Sequence, residues 1–166
     1  MTSFTVRRAR TSDVPGIIAV VEPYVSGRIL LGKERVEFYE AIGEFRVAEA
    51  DGVIIGCGAL HVMWEDLGEV RTLAVDASWR GRRVGHALLD ALVDDARTLG
   101  LSRLFCLTFE TDFFSAHGFT DMGQETVSPE LYAELLRSHD EGVAEFLDLA
   151  RVKQNTLGNS RMLRLL

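Results

Sequence analysis

Apolar residues recur at helical spacing over one long segment. Val84, Ala87, Leu88, Ala91, Leu92, Ala96 and Leu99 share a face, Asp90, Asp94 and Arg97 lie off it, and Gly100 marks the stop. Earlier, Thr11-Ser12-Asp13 offers helix caps ahead of Val14, Ile17, Ile18 and Val21, and Glu34 to Ile42 reads as a second helix beyond the Gly27–Gly32 interruption. Strand patterns fill the rest. Thr5 to Ala9 reads as an edge strand, and Phe45–Ala50 and Val53–Met63 flank an Asp51-Gly52 pair suited to a tight hairpin turn. Glu69–Val75 follows as a third strand of that run, and Arg103–Thr108 is a continuous apolar run of strand length.

Toward the C-terminus, Thr111–His117 reads as a short helix stopped by Gly118, and Ser128-Pro129-Glu130 as a helix start. Val143–Val152 and Arg161–Leu166 are expected to form a final strand pair. The order β-α-α-β-β-β-α-β-α-β predicts an α/β (α+β) fold, a mixed and mostly antiparallel twisted sheet with helices on both faces.

With 166 residues the chain is expected to be a single domain spanning 1–166. Apolar residues at 47% and charged residues at 26% exclude a disordered chain. No apolar run is long enough to cross a membrane, and the first thirteen residues have no apolar stretch behind their basic ones, which predicts no secretory signal. Cys57 and Cys106 sit in strand-like runs and are expected to be buried free thiols, in keeping with a cytoplasmic protein. A net charge of −7 argues against a nucleic-acid partner.

The chemistry concentrates in EVRTLAVDASWRGRRVGHALL, residues 69–89, where a strand enters a basic, Gly-containing turn that opens the long helix. Unpaired N–H groups at that helix start, with the helix dipole, make an anion site. Arg80, Arg82 and Arg83 add positive charge, while Gly81 and Gly85 allow close backbone approach. A solvated basic turn capping a core helix is the plainer alternative. The stretch matches no P-loop, and Gly56-Cys57-Gly58 lacks a third glycine at His61; that pair reads as a bulge or a close backbone contact. The four histidines, His61, His86, His117 and His139, show no metal-ligand spacing, so no metal is predicted.

The run V-D-x-x-x-R-G-x-x-x-G-x-x-L-L after a strand resembles the acetyl-coenzyme A loop of the GNAT N-acetyltransferases. Phe113-Phe114-Ser115-Ala116-His117-Gly118-Phe119 resembles a later segment of that family. GRILLGKERVEFYEAIGEF, GEVRTLAV, LSRLFCLTFETDFFSAHGF and NSRML are together similar to the acetyltransferase domain of N-acetylglutamate synthases, in a short stand-alone form. The resemblance implies a GNAT fold, acetyl-CoA as co-substrate, and direct acetyl transfer in a ternary complex. The acceptor it implies is the α-amine of L-glutamate or L-glutamine, the first step of arginine biosynthesis.

It also implies site residues. Glu69 falls at the general-base position, with Arg71 and Leu73 expected on its strand face by period-two alternation; a surface carboxylate paired with Arg71 is the alternative. Thr108 matches a hydroxyl near the thioester sulfur. Leu73, Ala74 and Val75 line the pantetheine arm, and Arg80, Gly81, Arg82, Arg83, Val84, Gly85 and His86 form the phosphate loop. Leu30, Lys33, Arg71, Thr72, Ser160 and Arg161 are the implied acceptor set, with Arg35 a further cation nearby.

The chain departs from the family pattern at four places, the first being Gly32, where relatives often carry an arginine and Lys33 is the substitute from one residue away. Arg83 stands at a glycine position and is expected at an ordinary φ, Phe114 stands where many relatives carry a proton-donating tyrosine, and Gly158 replaces an arginine. A polyamine or another amino acid as acceptor, or a non-catalytic acyl-CoA sensor, remain alternatives. A homodimer through terminal strands is compatible with the pattern.

Overall fold

In the computed structural model, residues 3–27, 29–30, 32–122, 127–147 and 160–166 are described. The first strand, β1 (Thr5–Arg8), leads through a 3₁₀ turn into helix α1 (Val14–Ser26). Asp13 organises that junction. Its carboxylate accepts from the Arg10 backbone N–H at 2.7 Å and pairs with Arg7 at 2.7 Å. Val14, Ile17, Val20 and Val21 form the buried stripe of α1.

The second helix, α2, covers Arg35–Glu40 and passes through a 3₁₀ turn at Ile42–Glu44, so it is shorter than the Glu34–Ile42 span expected. Strands β2 (Phe45–Ala50) and β3 (Val53–Trp64) make the hairpin, and Asp51 and Gly52 both take the positive φ that a primed turn requires. Strand β4 (Leu67–Val75) pairs antiparallel with β3, and helix α3 (Val84–Leu99) follows, ending on Gly100 at φ 84°.

Strand β5 (Arg103–Thr108) runs parallel to β4 and is followed by α4 (Thr111–Ala116), a two-residue strand β6 (Thr120–Asp121) and α5 (Pro129–Leu135). Helix α6 (Glu141–Phe146) and strand β7 (Ser160–Leu165) complete the described elements. The seven strands lie in the order β1-β2-β3-β4-β5-β7-β6, all antiparallel neighbours except β4 and β5. This is the mixed, mostly antiparallel sheet predicted, with helices on both faces.

Two differences from the sequence reading have clear causes. Val143–Phe146 is helical rather than a strand, while residues 148–152 of the expected strand lie outside the described residues. Asp140 caps this helix by accepting from the Val143 N–H at 3.0 Å, and Val143, Phe146 and Leu147 fall at i, i+3 and i+4 in one apolar cluster with Phe105. Strand β6 has only two residues, too few for any alternation to register.

The sheet divides the core by face. On one side α3 packs Leu89, Leu92 and Ala96 against Leu60, Val70 and Leu104; on the other, α1 packs on Val47, Cys57 and Ala74. Helices α5 and α6 lie on the α1 side, against Leu67 and Phe105. Both cysteines are buried and free, as expected, and burial pushes the Cys57 thiol up to about 12. No helix among the described residues is long and apolar enough to cross a membrane.

Candidate active site

The site begins where the sheet opens. Strands β4 and β5 pair only from Leu67, Gly68 and Glu69 to Arg103, Leu104 and Phe105; beyond that register they separate. A cleft of about 620 Å³ occupies the gap. One wall is β4 (Leu73, Ala74, Val75), and the other is the end of β5 with the start of α4 (Leu107, Thr108, Phe109, Phe113, Phe114). Tyr24 and Leu30, from α1 and the segment after it, close one side. The floor is the turn into α3, contributed by Arg80, Gly81, Arg83, Val84, Gly85 and His86.

Strand β4 turns hydrogen-bonding groups into this gap. Ala74 lies in register with Cys57 of β3, and Asp76 N–H donates to Ile55 there at 2.8 Å, so the peptide groups of Val75 face the opposite way. The Val75 carbonyl indeed accepts from the Tyr24 hydroxyl at 2.6 Å, on the cleft side. Val75 N–H shares that orientation.

At the floor, α3 starts without a side-chain cap and without an acidic residue in its first turn, so its leading N–H groups are uncapped. Arg83 holds a left-handed φ of 63°, contrary to the ordinary φ expected of it; the tight entry into α3 imposes on arginine the conformation that a glycine would adopt freely. Arg80 donates to the Tyr24 hydroxyl at 3.2 Å. Arg82 does not line the cleft: its guanidinium stacks on Trp79, 4.8 Å from the ring centroid.

A second cluster lies beside the cleft, on the α6 face of β4. Glu69 is 4% exposed, and its Oε2 accepts from Arg71 Nη2 at 2.6 Å. The same Nη2 donates to Asp140 Oδ2 at 2.6 Å, and Nη1 to Asp140 Oδ1 at 2.7 Å. His61 bridges Glu44, at 2.5 Å, and Asp140, at 3.9 Å.

The charges respond to burial and to one another. Desolvation raises the Glu69 pKa, Arg71 opposes that rise, and Asp140 adds to it. Burial works to raise the Asp140 carboxyl, but the hydrogen bonds and charge of Arg71 outweigh it and hold it at about 2. Lys33 falls within the same field; burial lowers its pKa, Arg71 lowers it further, and Asp140, Glu69 and Glu44 oppose the fall.

Several expected residues fall elsewhere. Leu73 does not share a face with Glu69 and Arg71. Thr72 takes φ 55°, and the β3–β4 register slips by one residue there, so Leu73 packs with Val70 toward α3. Period-two counting fails at that bulge. The Gly56–Gly58 pair lies opposite it, in close contact with Val84, Leu73 and Leu92. Arg35 is exposed on α2. Ser160 pairs with Thr108 in register, at the start of β7. Arg161 donates to the Phe146 carbonyl and thereby ties β7 to α6.

Sequence reasoning missed Asp140, Glu44 and Tyr24. Each lies far along the chain from the residues it meets, and only the N-cap position of Asp140 before α6 left a local signal. Among the described residues, no group of three or more His, Cys, Asp or Glu is arranged to hold a metal ion.

A sheet splayed between a parallel strand pair, with an uncapped basic turn at the base of the gap, is the framework of an acyl-CoA-dependent transferase. Residues 22–123 match the acetyltransferase (GNAT) family, and the chain belongs to that family. It is 57% identical over 164 residues to the amino-acid acetyltransferase of Mycobacterium tuberculosis, covering 97% of this chain and 94% of that one. The amino-acid acetyltransferase of Neisseria meningitidis serogroup A is 35% identical over 81% of this chain, which spans 31% of that relative's length.

Among solved structures, Rv2747 from M. tuberculosis in complex with CoA superposes with a TM-score of 0.94 at 56% identity, over 98% of this chain and 99% of that one. N-acetylglutamate synthase from Neisseria gonorrhoeae, complexed with coenzyme A and N-acetyl-glutamate, matches with a TM-score of 0.77 at 28% identity, over 100% of this chain and 36% of that one.

Proposed function

We propose that the protein transfers the acetyl group of acetyl-CoA to the α-amine of L-glutamate or L-glutamine. The observation that carries this reading is the cluster of buried Glu69 with half-buried Arg71 and Asp140 beside the cleft of about 620 Å³, in a chain 57% identical to a named amino-acid acetyltransferase. The fit of the donor is supported by the uncapped start of α3 with Arg80 and Arg83, which suits a diphosphate, and by the Val75 amide, which suits a pantetheine arm lying along β4 as an added strand.

In the reaction, Glu69 accepts a proton from the acceptor's ammonium group, directly or through water. The freed lone pair attacks the thioester carbonyl, the carbon–sulfur bond breaks, and the amide forms as the nitrogen's second proton passes to the leaving thiolate, directly or through water. Backbone N–H groups of β4 stabilise charge on the carbonyl oxygen. The leaving thiolate needs a proton that Phe114 cannot give. Thr108 is 8% exposed and lines the cleft; its Oγ1 accepts from Glu110 N–H at 2.8 Å, which leaves the hydroxyl hydrogen to donate toward the sulfur.

Arg71 and Lys33 are the cations for the acceptor's carboxylate, with the Thr72 backbone beside them. Arg71 Nε is buried without a hydrogen-bond partner among the described residues, a donor a carboxylate would satisfy. Ser160 and Leu30 complete the acceptor side, and Arg161 acts by holding α6 in place. This chemistry would place the enzyme at the entry to arginine synthesis.

The test is thiol release from acetyl-CoA with purified protein, offered glutamate, glutamine, other amino acids, spermidine or no acceptor. Release stimulated by glutamate or glutamine is expected, falling about 10²- to 10⁴-fold in Glu69→Gln with CoA binding retained. Release with spermidine alone would discard the acceptor assignment. Silence across the panel with CoA bound would make the protein an acyl-CoA sensor.

A further inference from the structure

Arg71 is already occupied by a carboxylate of the chain's own. Asp140, in the connection between α5 and α6, meets the end of its guanidinium with both oxygens, Nη1 donating to Oδ1 at 2.7 Å and Nη2 to Oδ2 at 2.6 Å. Two parallel bonds of this kind are how an arginine recognises a free carboxylate. Nη2 also donates to Glu69 at 2.6 Å, which leaves Nε as the guanidinium nitrogen without a partner among the described residues. Burial works against the charge of Asp140, but the hydrogen bonds and charge of Arg71 outweigh it and hold the carboxyl at about 2. The side chain is therefore an anion throughout the neutral range.

The surroundings suit an exchange at this contact better than a fixed strut. Asp140 is the most exposed member of the cluster, its side chain 23% accessible against 12% for Arg71 and 5% for Glu69, so it is the one anion that water can receive on release. Helix α6 keeps its place without Arg71. Val143 and Phe146 sit in the apolar cluster with Phe105, and Arg161 donates to the Phe146 carbonyl. The loop before it is tied locally, Asp140 N–H donating to Ser138 Oγ at 3.1 Å and Val143 N–H to Asp140 Oδ2 at 3.0 Å. Beyond Arg71, Asp140 faces His61, whose Nε2 lies 3.9 Å from Oδ1 and outside hydrogen-bond distance.

We propose that Asp140 is a built-in competitor of the acceptor: it holds the Arg71 guanidinium while the site is empty and yields it to a carboxylate of the incoming amino acid. This rests on the reading of Arg71 as the cation that receives the acceptor. The exchange replaces one carboxylate by another on the same nitrogens, so the buried guanidinium is never left unpaired. It also selects, because an amine that carries no carboxylate has nothing with which to displace Asp140. The apparent affinity for the acceptor is reduced by the fraction of molecules in which Arg71 is free.

The experiment is acceptor saturation in the thiol-release assay, run on the alkaline plateau of the pH profile, where Glu69 is ionised, with whichever of glutamate and glutamine is turned over. Asp140→Ser and Asp140→Asn both lose the charge and keep an oxygen that can accept from Val143 N–H. In each, the acceptor KM should fall about tenfold, as for a site held closed about nine-tenths of the time, while the Kd for CoA stays within about twofold. Competitive inhibition by glutarate, which has carboxylates and no amine, should strengthen by the same factor. Glu44→Gln removes a charge from beside His61 without touching Arg71, and separates exchange from the general field.

An acceptor KM that is unchanged or higher in both Asp140 variants would overturn the proposal, a rise meaning that Asp140 holds Arg71 in its working position. A lower KM with no stronger inhibition by glutarate would place the effect on the amine rather than the carboxylate, and would overturn it too. Equal gains in Glu44→Gln and Asp140→Ser would reduce Asp140 to one charge among several. Absence of turnover with every amino acid, with CoA bound, would instead overturn the acceptor reading on which the proposal stands.

Discussion

Glu69 is asked to do two opposed things: stay buried, and hold a negative charge long enough to take a proton. Burial disfavours the anion, and Arg71 at 2.6 Å restores part of the loss. Asp140 sharpens the conflict because its own charge is secured by the same guanidinium, so a second carboxylate stands near the first. The acid limb of kcat/KM is accordingly expected above the ordinary glutamate range of about 4.3. Asp140→Asn removes the like charge and leaves Arg71 to Glu69, so both changes favour the Glu69 anion. The acid limb should then move down by about one pH unit, read from thiol release across pH 4.5–9. An unmoved limb would show that it belongs to another group. Asp140 has a stability signature of its own. Its pKa is depressed from 3.8 to about 2, so its contribution is complete above about pH 4 and lost as pH falls toward 2, a loss Asp140→Asn should not show.

Two backbone positions shape the elements that meet at the cleft, and neither announces itself in the sequence. Thr72 and Arg83 both take left-handed φ values, which a β-branched or long side chain adopts at a cost. At Arg83 the strain accompanies a charge lining the cleft. Arg83→Gly should therefore separate the two. Relief of the left-handed arginine should stabilise the fold by about 1 kcal/mol, raising Tm by about 2–4 °C, while the Kd for CoA rises severalfold through the lost cation. A fall in Tm would mean that the Arg83 side chain stabilises the turn more than its φ strains it.

The same two positions mark how far the sequence was readable. The long stripe of α3, the Asp51-Gly52 hairpin and the basic turn were legible because each is a local pattern with its own period or turn chemistry. The slip at Thr72 was not, since nothing near it departs from strand composition, and it moved Leu73 to the other face. Helix α6 departs from the strand expected there because Val143, Phe146 and Leu147 occur in a stretch short enough to fit either element, and the Asp140 cap decides for the helix.

Across the whole molecule, the two halves of the site come from different kinds of assembly. The cleft is built mainly from consecutive elements: β4, the turn, α3, then β5 and α4. The cluster beside it joins segments scattered along the chain, with Lys33 before α2, Glu44 in the turn after it, His61 on β3, Glu69 and Arg71 on β4, and Asp140 before α6. Helix α6 is the keystone of that second half. Asp140 clasps Arg71 at its N-terminus, Val143 and Phe146 enter the apolar cluster below, and Arg161 holds the Phe146 carbonyl. Gly142 lies directly against the Glu69 carboxylate: a methyl group there would sit 2.5 Å from Arg71 Nη2 and 2.8 Å from Glu69 Cδ, closer than real contacts allow.

Gly142→Ala must therefore lift the first turn of α6 away from β4 or push Glu69 and Arg71 apart. The overpacking should cost about 1–3 kcal/mol, lowering Tm by about 2–4 °C for each. Because the phosphate turn shares no residue with α6, the Kd for CoA should stay within about twofold while acceptor-dependent turnover falls, since distant sites respond independently. Equal losses in CoA binding and turnover would show that the fold loosened as a whole. Full turnover at a lowered Tm would mean that acceptor chemistry proceeds with α6 displaced from Glu69.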